Sequence, residues 1–99
     1  FSKAIETFNK VIKINRDYAY AHNNIGLSHY KNGEYSEAVK AYDKAITINP
    51  DYAHAYIHRG SAKEMLRDMS GACEDWNKAK ELGLPEADEY AAVCTEFNK

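Results

Sequence analysis

Apolar and small side chains recur along this chain at steps of three and four residues and nowhere alternate with period two, which marks helices packed on one face and not strands. Between residues 17 and 33 the spacing is held by Ala19, Ala21, Ile25, Gly26 and the pair His29 and Tyr30, and Asn32-Gly33 gives a C-cap and turn signal. Beyond the turn Tyr35, Ala38, Val39, Tyr42, Ala45, Ile46 and Ile48 hold it again, with Ser36 as candidate cap and Asn49-Pro50 as the stop. The pattern predicts helices over Ser2–Ile14, Tyr18–Asn32, Ser36–Ile48, Tyr52–Arg67, Ser70–Leu82 and Pro85–Phe97.

The pattern also repeats. Asp17–Pro50 set over Asp51–Leu84 without a gap matches at Asp17/Asp51, Tyr18/Tyr52, Ala19/Ala53, Ala21/Ala55, Gly26/Gly60, Ser36/Ser70, Ala38/Ala72, Lys44/Lys78 and Ala45/Ala79. That is nine of 34 positions, where chance gives about two. Tyr42/Trp76 keeps an aromatic and Ile48/Leu82 an aliphatic residue. Phe1–Arg16 aligns with the second half of the unit through Ser2, Ala4, Lys10, Ile12, Ile14 and Asn15, so the chain starts halfway through a repeat. The expected organisation is one domain over residues 1–99: a second helix of a truncated repeat at 1–16, full repeats at 17–50 and 51–84, and a capping helix at 85–99.

Small residues let such helices approach closely. Gly26 and Gly60 in the first helix, and Ala38/Ala72 and Ala45/Ala79 in the second, remove bulk at the crossings, while Phe8, Tyr42 and Trp76 fill the space beside them. A glycine eight positions into the unit, alanines at 20 and 27, an aromatic at 24 and a proline at 32 together resemble the tetratricopeptide repeat, over Phe1–Leu84. The resemblance implies an all-α, right-handed superhelical solenoid of antiparallel helix pairs with a C-terminal capping helix. The last unit departs from the pattern: Arg59 stands where Ile25 does, Arg67 replaces Gly33, and Leu84-Pro85 shifts the proline by one.

Composition narrows the function. Thirteen basic and 15 acidic residues leave a formal charge of −2, no global field for nucleic acid or anionic lipid, so the eight tyrosines are not read as a base-stacking platform. No apolar run is long enough for a membrane span. Phosphate loops, a Gly-x-Ser-x-Gly elbow and His-Glu-x-x-His are all missing, and the expectation is a protein that is not an enzyme and needs no cofactor. His54 and His58 share one helix face, but two ligands are too few and no metal site is assigned. Cys73 and Cys94, without a Cys-x-x-Cys, are expected as reduced, buried thiols of an intracellular protein. The expected location is cytoplasmic, with periplasmic or secreted settings left open because the chain opens at Phe1 as a fragment would.

In tetratricopeptide arrays the first helix of each pair lines a concave channel. By that resemblance the groove positions are Tyr20, Asn23, Asn24, Leu27, Tyr30, Lys31, His54, Ile57, His58, Ser61, Glu64 and Met65. Tyrosines offer contact area at small entropic loss and Asn side chains can bond a peptide backbone, so the expected function is an adaptor holding a protein or peptide partner. The alternative is an architectural spacer or oligomerising segment of a larger protein. Relatives that clamp a C-terminal carboxylate use Lys and Arg where this chain has His54 and His58; only Asn24 matches. Ile5, Phe8, Val11 and Ile12 on Ser2–Ile14 would lack the preceding helix, which predicts weak self-association there.

Overall fold

The computed structural model describes residues 2–97, with side chains over 16–95, and its helices are α1 (Ser2–Lys31), α2 (Tyr35–Ile48), α3 (Ala53–Met65), α4 (Met69–Glu81) and α5 (Ala87–Phe97). No strand occurs among the described residues. The turns between neighbours are short, so consecutive helices run antiparallel, α1 with α2, α3 with α4, and α5 back against α4.

Helix ends explain those turns. After α1 the chain turns left-handed at Gly33 (φ +77°), and the Glu34 and Gly33 amides donate to the carbonyls of His29 (2.8 Å) and Tyr30 (3.0 Å). These bonds satisfy carbonyls that the helix end would leave orphaned. Arg67 occupies the equivalent place after α3 and takes the same conformation, φ 66°, with matching bonds from Asp68 to Lys63 and from Arg67 to Glu64. At the start of α4 the Asp68 carboxylate accepts from the Gly71 amide at 3.0 Å. The cap expected at Ser36 is not formed: α2 begins at Tyr35, Glu34 is its N-cap without a side-chain bond, and Ser36 lies inside the first turn.

One element departs from the sequence pattern. Two helices are expected over Ser2–Ile14 and Tyr18–Asn32, whereas α1 is a single helix of 30 residues. The reason lies at Arg16, which aligns with Pro50. Pro50 has no N–H and forces the preceding residue out of helical geometry, as the extended Asn49 (φ −136°, ψ 91°) shows. Arg16-Asp17 imposes neither restriction, so the helix runs on for about 45 Å at ~1.5 Å per residue. The molecule is correspondingly elongated, with a radius of gyration of 15.2 Å against about 13 Å for a compact chain of this size. The apolar face of Ile5, Phe8, Val11 and Ile12 lies outside the described side chains.

Packing follows the small residues. Ala38, Ala45, Ala72 and Ala79 are fully buried, as are the Tyr42 and Trp76 rings. A Cβ added at Gly26 would collide with the Tyr42 ring, and one at Gly60 would stand 2.5 Å from Trp76 Nε1. α5 continues the array: Ala87, Ala91 and Cys94 are buried and lie 34 residues beyond Ala53, Ile57 and Gly60. Cys94 is bonded to Cys73 of α4, the two Cα atoms 5.6 Å apart. This corrects the expectation of two free thiols. Twenty-one residues separate the cysteines in sequence, and only the packing of α5 on α4 makes them neighbours. Both are buried, as expected.

Candidate functional site

Three cavities lie along the face shared by α1, α3 and α5. At one end, about 520 Å³ is enclosed by Arg16 and Tyr20 of α1, Tyr52 and His54 at the start of α3, and Leu82 to Leu84 after α4. In the middle, about 310 Å³ lies between His54, Ile57 and His58 of α3 and Pro85, Glu86, Glu89 and Tyr90. Beyond it, about 190 Å³ is walled by Leu27, Tyr30, Tyr42, His58, Ser61 and Tyr90. His54 borders the first two, and His58 and Tyr90 border the last two, so the three follow one another along one channel.

The expected groove residues divide accordingly. Tyr20, Leu27, Tyr30, His54, His58 and Ser61 line the channel. Asn24, Lys31, Glu64 and Met65 are exposed on the same helices but border none of the three cavities. Ile57 is buried among Tyr56, Cys73 and Trp76 and reaches the channel only at its floor. Asn23 is 3% exposed, and its Oδ1 accepts from His58 Nδ1 at 2.9 Å. It orients an imidazole and presents nothing to a partner. In the neutral tautomer that donates this bond from Nδ1, Nε2 is left as an acceptor.

The channel carries no permanent cation on its α3 wall. Burial pushes the His58 imidazole below its ordinary range, neighbouring His54 adds to this, and Glu86 only partly opposes it. His54 Nε2 lies 3.7 Å from Glu86 Oε2, and the two imidazole centroids are 6.4 Å apart. No group of three or more His, Cys, Asp or Glu side chains able to hold a metal occurs among the described residues. The real cations of α3 are engaged elsewhere: Arg59 donates to Asp75 at 2.7 and 2.9 Å and to Asp43 at 2.9 Å, while Lys63 lies 3.2 Å from Asp75. Burial raises the Tyr30 phenol, with further contributions from Tyr35, Glu64 and Tyr90, and it holds Tyr42 firmly as the neutral hydroxyl.

Tyr90, Glu86 and Glu89 are absent from the expected groove, because residues 85–99 are expected as a capping helix. The signal for them was the period itself, since carrying 34 residues forward from Ala53, Ile57 and Gly60 lands on Ala87, Ala91 and Cys94 and makes α5 the first helix of a further unit.

Comparison with known proteins agrees with this architecture. Residues 19–52 match the tetratricopeptide repeat and residues 1–33 match a second model of the same repeat. Together they take in more than half of the chain, which therefore carries a tetratricopeptide-repeat domain. The first such domain of Spaghetti (RPAP3), solved bound to the HSP90 peptide SRMEEVD, is similar with a TM-score of 0.74 and 25% identity over 78% of this chain and 64% of that one. The MamA protein is similar with a TM-score of 0.63 and 34% identity over 80% of this chain and 43% of that one. This chain spans less than two thirds of either. No curated protein matches the sequence.

Proposed function

We propose that this chain is a non-catalytic interaction module that holds a peptide or partner helix in the channel between α1, α3 and α5. The observation that carries the reading is the convergence of Leu27 and Tyr30, His58 and Ser61, and Tyr90 from those three helices on one cavity. Packing elsewhere consumes the small residues and leaves this face lined by aromatic and hydrogen-bonding groups. A structural neighbour of the same repeat type was solved with a peptide bound, which supports a peptide as the class of partner. The neutral His58 does not suit a carboxylate clamp, which requires standing positive charge.

Capture from a peptide library tests the reading. Tyr20→Ala and His58→Ala, both on the channel, should weaken binders at least several-fold, and Lys40→Ala on α2 should not. If Lys40→Ala weakens them equally, the channel is not the binding surface. The second reading, a rigid spacer, is favoured by the 30-residue α1, which is 16 residues longer than the 14-residue α2; it expects no peptide binder at all.

A further inference from the structure

We propose that the cavity walled by Tyr30, Tyr42 and Tyr90 receives a basic side chain, lysine or arginine, of the bound peptide, and that the channel thereby selects a net-basic partner. The inference rests on the interaction reading above and adds the chemistry of what is bound. Three tyrosines and Leu27 give the cavity apolar walls, suited to the methylene stem of a long side chain and to a cation over aromatic faces. The residues that wall it carry groups able to accept a hydrogen bond, the hydroxyls of Tyr30, Tyr42, Ser61 and Tyr90 and the imidazole of His58. The Tyr42 hydroxyl is the sharpest of these. Its residue is 0% exposed, yet Oη has no hydrogen-bond partner among the described residues, a condition that native interiors rarely tolerate.

Charge points the same way. Glu86 and Glu89 border the adjoining compartment, which shares His58 and Tyr90 with this one, and neither compartment is lined by a lysine or arginine. Lys31 follows Tyr30 but is exposed and borders neither. Arg59 and Lys63 are held by Asp75. An ammonium or guanidinium entering here would find acceptors below it, aromatic faces around it and carboxylates at the rim. A carboxylate would find repulsion and no donor of standing charge.

The test uses the full chain and four peptide pools, each random except for one central position fixed as lysine, arginine, norleucine or glutamate. The lysine and arginine pools should bind at least about fivefold tighter than norleucine, with glutamate weakest, as a partly desolvated cation–aromatic contact allows. Tyr42→Phe should lower lysine binding at least about threefold, because the bond it removes is made to a cation and outweighs a neutral one, and should lower norleucine binding by less. Glu89→Gln should lower lysine and arginine alone. Equal binding of all four pools that Tyr20→Ala still weakens overturns the basic preference and leaves the channel standing. Binding by none of the pools removes the interaction reading, and this inference with it.

Discussion

The two helix pairs, α1–α2 and α3–α4, share one backbone plan and meet the same packing problem with different chemistry. Where α1 has Ile25, 48% exposed, α3 has Arg59, and where α2 has Ala41, α4 has the buried Asp75. The second pair thus carries an ionic cluster at the place where the first has an aliphatic side chain at the surface, and through Asp43 the cluster also ties α3 to α2. Under the glycine crossing the first pair places Tyr42, whose hydroxyl has no partner among the described residues, and the second places Trp76, whose Nε1 donates to the Ile57 carbonyl at 3.2 Å. The second pair is also pinned to α5 by Cys73–Cys94. Among the described residues its buried polar side chains are paired, and Tyr42 of the first pair is not. A repeat can hold its shape while its interior polarity changes, and a charge as deep as Asp75 is tolerated because it is bonded to Arg59.

The largest expected effect breaks the ionic cluster. Asp75→Ala leaves Arg59 and Lys63 without their shared carboxylate and should lower unfolding free energy by about 3–4 kcal/mol. The lower part of the known range applies because the two cations keep 18% and 22% of their side chains exposed. Urea unfolding of this variant beside Ala41→Ser, at the equivalent place in the first pair, measures the asymmetry. Equal losses would mean that the cluster contributes nothing particular. Reduction of Cys73–Cys94 comes next, because the bond closes a loop of 21 residues and its opening should release about 3 kcal/mol of chain-entropy stabilisation. Hydrogen exchange under reductant should show α5 losing protection before α2. A melting temperature indifferent to reductant would sink that expectation.

Gly26→Leu should lower stability by about 1–3 kcal/mol, since its first carbon already meets the Tyr42 ring. The same change at Gly60 should be the worse of the two, because Trp76 is held by a hydrogen bond as well as by packing and has less freedom to yield. Thermal melts of the two variants rank them. Arg67→Gly works in the opposite sense: it should raise stability by about 1 kcal/mol, because Arg67 now holds the left-handed conformation that Gly33 adopts freely. No gain would show that the Arg67 side chain offsets its own backbone.

Much of this was legible from the chain. The spacing of Gly26, Ala38, Tyr42 and Ala45 fixed both the helical pairs and the crossing that Tyr42 and Trp76 fill, because close packing admits few residue types at such a place. The merged α1 was harder, since a helix stop is written by Pro50 and its loss at Arg16 is a single residue in an otherwise matching segment. The disulfide and the α5 wall of the channel depend on how α5 docks, a tertiary fact that local periodicity does not carry. Asn23 and Ile57 were assigned to the groove by position in the unit. Their burial is decided by a half-turn of helix rotation, and Asn23 reads as surface in any sequence that does not also reveal His58 beside it.

The finest test separates the two aromatic keystones. Tyr42→Phe removes one oxygen that has no partner among the described residues, so the folded state loses no hydrogen bond while the unfolded state loses a solvated hydroxyl. Stability should stay unchanged or rise by up to about 1 kcal/mol, the reverse of what deleting a satisfied buried group does. Trp76→Phe deletes a donor whose acceptor, the Ile57 carbonyl, stays behind in the core, and it also removes ring volume that packs on Tyr90 at a centroid distance of 5.4 Å. About 1–3 kcal/mol should be lost there. Parallel urea titrations with matched slopes give the two values directly. A loss at Tyr42→Phe as large as at Trp76→Phe would show that the Tyr42 hydroxyl makes a hydrogen bond in the folded state, and that a side chain entering the channel has to compete with that bond for Oη.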